Sequence, residues 1–246
     1  MQRLFLTADG SVVSGVTTSE ARELLSAVEG SSQLGIAELV ENGARSAYDL
    51  VTAELGHERQ GKIVVLAGPG FTGAVAFALA RHLANHRYTL TVIHLFGSQR
   101  QENRRQRETL VLSGATVSER LEDLGEDVAL VVDALVAREG APADDATLRA
   151  AMASMARCRK DGARIISLEM PTGVDPVTGV PMDGAVRADA TLCMAFPRTG
   201  LTTEWCGRLF VGDIGIPPEM YRRYALVAHP CVFRDGFTFQ VKPLSD

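Results

Sequence analysis

Two rhythms of apolar positions alternate along the chain. Short unbroken runs rich in Val, Ile and Leu occupy Lys62–Ala67 (KIVVLA), 90–96 (LTVIHLF), 128–135 (VALVVDAL) and 163–170 (ARIISLEM). Runs of this length, bounded by glycine and polar residues, predict strands buried on both faces. Between them apolar residues recur at three- and four-residue spacing, which predicts helices. Thr18 or Ser19 caps the first helix, Ala21, Leu24, Leu25 and Val28 form its apolar face, and Gly30 ends it. A second helix covers 35–55, and a third starts near Thr72 and runs through Ala84. An arginine-rich fourth opens at Ser98 and ends near Ser113-Gly114, and a fifth covers 144–159. Runs at 190–196 and 209–214 complete the strand set, with a short strand at 3–6 and weak strand character at 231–233 and 237–241. Apolar strands alternating with helices predict a doubly wound α/β sandwich: three layers, a mostly parallel sheet and right-handed crossovers. No internal repeat or low-complexity linker interrupts it, so 1–246 reads as one domain with 219–246 as a C-terminal appendage.

Composition narrows the function. A net charge of −5 gives no electrostatic support for nucleic-acid binding. Arg100, Arg104, Arg105 and Arg107 form a local basic run broken by Glu102 and Glu108. It reads as a solvated helix face, with an anion-binding patch as the alternative. The four cysteines form no CxxC pair and the five histidines no HExxH, so zinc spacing is absent. His82 and His86 stand four apart without a carboxylate ligand beside them. The N-terminus lacks a basic start followed by a long apolar core, and no apolar run reaches the ~18 residues of a membrane span. The expected location is cytoplasmic, with no membrane partner.

In an open parallel sheet, ligands bind beyond the carboxyl ends of the strands. Three such ends carry chemistry. Gly68-Pro69-Gly70-Phe71-Thr72-Gly73 allows tight turning and backbone approach to a phosphate at a helix N-terminus, or merely a tight connection. Asp133 lies near the end of an apolar strand, where a carboxylate needs a partner: it binds a cation, a ribose hydroxyl or a helix N-terminus, or is merely a capping or turn-fixing residue. Glu169 precedes Met170-Pro171-Thr172-Gly173-Val174-Asp175, where Pro and Gly force a turn, and is either a general base or an ordinary loop carboxylate.

Further pieces accompany these loops: Glu41-Asn42, Ala80-Arg81-His82-Leu83, Val132-Asp133-Ala134-Leu135, Ala185-Val186-Arg187-Ala188-Asp189-Ala190-Thr191 and Asp213-Ile214-Gly215-Ile216-Pro217. In order and spacing they resemble the YjeF N-terminal family, the NAD(P)H-hydrate epimerases, over residues 17–218. The resemblance implies a Rossmann-like fold, frequent homodimers, and interconversion of the R and S forms of hydrated NADH and NADPH, which are substrates and not cofactors. It also implies a cleft with a potassium ion and a catalytic carboxylate. Carried onto this chain, Glu169 takes the catalytic position. Thr72, Asp133 and Thr172 take the potassium positions, and Gly70, Phe71, Thr72, Gly73, Arg138 and Glu169 face the substrate. A separate dehydratase is the expected partner, because no dehydratase sequence follows.

The chain departs from the family at each loop. Where the family reads GPGNNGGDG, Phe71 and Thr72 replace the two Asn and Val75 replaces the Asp. Where it reads VDALFGTGL, Val136-Ala137-Arg138-Glu139 follows Leu135. Where it reads VDIPSG, Glu169 stands at the Asp and Thr172 at the Ser. Two other readings stay open beside an active epimerase with an altered cation site. One is a relative with a different ligand, bound by Phe71 and Arg138. The other is a catalytically inactive binding or scaffold protein.

Overall fold

The computed structural model describes residues 3–31, 34–56, 61–97, 101–135, 146–223, 233–234 and 236–244. The strands are β1 (Leu4–Thr7), β2 (Val12–Ser14), β3 (Lys62–Ala67), β4 (Leu90–His94), β5 (Val117–Ser118), β6 (Val128–Ala134), β7 (Arg164–Leu168), β8 (Ala190–Met194), β9 (Arg208–Gly212) and β10 (Thr238–Pro243). The helices are α1 (Thr18–Ser31), α2 (Ile36–Leu55), α3 (Gly70–Asn85), α4 (Gln101–Leu112), α5 (Ala146–Lys160), α6 (Thr203–Cys206) and α7 (Pro218–Arg223).

All ten strands join one sheet, in the order β2-β1-β10-β9-β8-β7-β6-β3-β4-β5. From β9 to β5 every pairing is parallel. β10, β1 and β2 extend it antiparallel. Successive side chains point to opposite faces of a strand, and this sorts the core. Ile63, Val65 and Ala67 join Leu130, Val132 and Ala134 beneath α1, α2 and α3. Val64, Leu66, Val131 and Ile165 pack against Met152, Met155 and Cys158 of α5 on the other face. The α/β sandwich expected from the apolar runs is what forms. The chain leaves β3 toward β4 on one side and reaches β6 on the other, so the strand order reverses between β3 and β6. That reversal is where open α/β sheets hold ligands.

Three differences from the sequence expectation bear on the site. Residues 238–241 of the weak 237–241 run belong to β10, which is paired between β9 and β1. Val241, its one buried residue, packs with Phe5 and Val211, and Phe239 packs partly buried against the same cluster, a sparse signal that gives only weak strand character in the sequence. The N-terminal arm is a hairpin, and β2 leads into Val16, which bridges Arg198. The runs at 90–96, 163–170 and 190–196 each stop short, because Phe96, Glu169 and Ala195 adopt positive φ (69°, 71° and 69°). Residues Ser98, Arg138, Asp144 and Cys231 lie outside the described residues. Among those described, no helix is long and apolar enough to cross a membrane.

Candidate active site

The loop after β3 places its three glycines at G-x-G-x-x-G spacing, and each has a separate reason. A Cβ on Gly68 would lie 2.4 Å from the Leu135 carbonyl oxygen, where the β3 and β6 loops touch. Gly70 opens α3 with φ 74°, a conformation that costs ~1–2 kcal/mol with a side chain. A Cβ on Gly73 would lie 1.8 Å from the Gly68 carbonyl oxygen. Helix and strand therefore meet backbone to backbone, as in dinucleotide-binding turns. Thr72 is fully buried, and its hydroxyl has no hydrogen-bond partner among the described residues. Phe71 is buried in the large apolar cluster with Val75, Phe196 and Tyr221.

Glu169 leaves β7 in the left-handed region that L residues seldom occupy. Its N–H donates to the Leu192 carbonyl at 2.7 Å, so the turn is anchored on β8. The carboxylate is buried and forked by Arg198, whose Nε and Nη2 donate to Oε2 at 2.9 and 2.6 Å. Met194 N–H donates to Oε1 at 3.2 Å. Both side chains of the pair are 2% exposed, yet Arg198 Nη1 has no partner among the described residues. A buried ion pair is favourable only with good geometry and satisfied neighbours, and backbone strain concentrates at functional sites. Nothing in the sequence spacing singles out Arg198. Its signal is its place, in the Pro197-Arg198-Thr199-Gly200 turn beyond a fourth strand end. The N-terminal hairpin fixes that turn. Val16 N–H donates to the Pro197 carbonyl, Thr199 N–H donates to the Val16 carbonyl, and Arg3 reaches the Thr199 carbonyl.

Asp133 lies at the end of β6, buried, and four protein donors converge on it. Thr172 donates through its hydroxyl to Oδ1 (2.6 Å) and through its N–H to Oδ2 (2.7 Å). Ser167 Oγ donates to Oδ2 at 3.2 Å and Leu135 N–H to Oδ1 at 3.4 Å. Burial raises its carboxyl pKa above the ordinary value, and the Thr172 hydrogen bonds only partly offset this. Asp133→Asn is expected to cost ~1–3 kcal/mol in urea unfolding, since an amide sets a donor against donors that a carboxylate satisfies.

A hard cation wants several oxygen ligands. The Thr72 hydroxyl is such an oxygen, but Asp133 and Thr172 already satisfy each other, and Val75 is core. Of the three residues expected to share a potassium ion, Asp133 and Thr172 are bonded to each other, and Thr72 alone has a hydroxyl without a hydrogen-bond partner among the described residues. Of the sequence-derived site residues, Gly70, Phe71, Thr72 and Gly73 form the start of α3, Asp133 and Thr172 form one network, and Glu169 pairs with Arg198. Arg138 lies outside the described residues.

Several of the other motif residues are structural. Glu41 binds His82 Nε2 at 2.8 Å and also Arg81. Burial, ahead of the opposing charge of Glu41, lowers the His82 pKa. Asn42 and Ser46 donate to the Ile214 and Asp213 carbonyls. Asp189 receives Ile165 N–H and the Arg159 guanidinium.

The description "YjeF-related protein N-terminus" matches residues 36–200. The chain belongs to this family. An NAD(P)H-hydrate epimerase from Dehalogenimonas lykanthroporepellens is 33% identical over 95% of this chain and 95% of its own length. A "Bifunctional NAD(P)H-hydrate repair enzyme Nnr" from Dictyoglomus turgidum is 28% identical over 83% of this chain, which spans 41% of that longer protein. The crystal structure of yeast ynu0 shares the fold, with a TM-score of 0.79 over 94% of this chain and 99% of that one, at 19% identity. Within the YjeF_N fold, the strand ends that carry Asp133 and Glu169 lie on the same edge of the sheet as the glycine loop.

Proposed function

We propose that the protein is an NAD(P)H-hydrate epimerase-like isomerase, interconverting the R and S forms of hydrated NADH and NADPH for nicotinamide nucleotide repair. Similarity to an epimerase across 95% of both chains carries the reading. Buried polar chemistry at the strand ends supports it. Inverting a hydroxyl-bearing carbon requires a bond to that carbon to break and re-form on the opposite face. A carboxylate that takes and returns the hydroxyl proton serves both stages. Glu169 is that base. Its oxygens hold Arg198 and Met194 N–H, so it accepts a substrate proton by exchanging one of these donors. Arg198 then steadies the carboxylate and orients it. No step is assigned to potassium. The bifunctional relatives support pairing with a dehydratase activity that consumes one epimer.

The test supplies an R/S mixture of hydrated NADH with a dehydratase specific for one epimer. Full consumption faster than spontaneous epimerisation is expected, and no acceleration, with or without potassium, defeats the reading. Glu169→Gln is expected to lower the rate ~100-fold or more, the scale of a positioned acid–base group. Undiminished acceleration would remove Glu169 from the chemistry.

A further inference from the structure

A second polar site adjoins the glycine loop. At the carboxyl end of β4 lies a cavity of about 480 Å³, whose lining includes His94, Phe96, Asn103, Arg104, Arg107 and Glu119. Its volume is in the range of a small-molecule pocket. Asn103 ties it to the first loop, donating to the Gly68 carbonyl at 3.4 Å, and Leu95 N–H donates to the Ala67 carbonyl at 2.9 Å. His94 is 6% exposed, and its Nε2 has no hydrogen-bond partner among the described residues. Its ring stands edge-on to Phe77, with centroids 5.1 Å apart. Burial, and then the charge of Arg107, holds its pKa below the ordinary value, so it is neutral near pH 7.

β3, the glycine loop, α3 and β4 form a strand–helix–strand unit of the kind that binds mononucleotides in doubly wound folds. In such units the end of the second strand reads the adenosine ribose, with an acid for a free 2′-hydroxyl or an arginine for a 2′-phosphate. No acid follows β4, which ends at His94 and runs on into Leu95-Phe96-Gly97; the acid in the lining, Glu119, comes from beyond β5. Arg104 and Arg107 face that end from α4. We propose that this cavity receives the 2′-phosphorylated ribose of the dinucleotide, so that the protein prefers NADPH-type to NADH-type ligands. The inference rests on the epimerase reading and names its substrate class. Arg107 donates to Glu119 at 3.0 Å, but Glu119 is 66% exposed at the rim. A phosphate dianion takes over that guanidinium, matching its fork with more charge than a solvated carboxylate carries. Phe96, half-buried, offers the adenine an apolar face.

The test is calorimetric titration of the intact protein with NADP⁺, NAD⁺ and inorganic phosphate. NADP⁺ is expected to bind roughly tenfold or more tightly than NAD⁺, the scale of one charge-assisted hydrogen bond. Arg104→Gln, and the double variant with Arg107→Gln, should erase that difference, with thermal unfolding reporting that the fold is kept. Equal affinity for the two dinucleotides, no binding of either, or a preference that survives in the double variant overturns the proposal. Inorganic phosphate binding as tightly as NADP⁺ also overturns it, because the cavity then takes free phosphate. The epimerase assay is read separately. Equal acceleration with hydrated NADH and hydrated NADPH leaves the reaction standing and removes the preference. Preferential NADP⁺ binding without acceleration keeps the cavity and removes the reaction.

Discussion

Arg198→Met is expected to destabilise the protein by ~3–5 kcal/mol, because it leaves the Glu169 carboxylate buried with its strongest partner gone. Both side chains are 2% exposed, so water cannot replace the guanidinium without opening the turn. The double variant Glu169→Leu with Arg198→Met should recover most of that loss, since an apolar pair of similar volume removes both desolvation penalties. Epimerisation should be absent in both. Urea unfolding of the two single variants and the double variant measures the coupling. A double variant no more stable than Arg198→Met would mean that the pair is not the unit that holds this turn. Arg198→Lys tests orientation: charge is kept but the fork onto Oε2 is lost, so activity should fall more than stability.

Gly73→Ala is expected to cost ~3 kcal/mol or more, or to abolish soluble expression, through overpacking against an unyielding partner. The added Cβ would lie 1.8 Å from the Gly68 carbonyl oxygen and 2.8 Å from Asn103 Nδ2. The nearer contact is backbone, which has no rotamer to turn aside, and Asn103 is itself buried. Relief requires α3 to lift from β3, and both are buried along their length. Gly30→Ala in α1 is the control: nothing lies within 4 Å of its Cβ position. It should leave stability unchanged or raise it by up to ~1 kcal/mol, through the entropy of the unfolded chain. Thermal unfolding of the two variants separates them; a Gly73→Ala protein as stable as wild type would mean that the close approach is not needed.

The parts of the fold legible in the sequence are those where one face or both faces of an element are apolar. The runs that became β3, β6 and β7, and the periodic stretches that became α1 and α2, carry their own signal because burial dictates residue type at every position. β10 carries little, since only Val241 of its six residues is buried. Its place beside β9 is set by pairing of backbone groups that no side-chain pattern records. At the site, Gly68, Gly70 and Gly73 were visible because a glycine where a Cβ will not fit is a local fact. Arg198 was not visible, because its meaning comes from a residue 29 positions away across the sheet edge.

The sequence by itself determined the layer architecture, the strand that turns on glycine, and the carboxylates Asp133 and Glu169 at strand ends, because periodicity, turn chemistry and the rarity of acids in apolar runs act locally. The tertiary structure alone decided what those carboxylates do. It gathered Thr172 and Ser167 around Asp133. It swung Glu169 through a left-handed turn onto Arg198, and it used the N-terminal hairpin to hold that arginine. Hydrogen bonding and charge pairing in a buried space depend on which loops meet, and only the folded sheet brings these loops together.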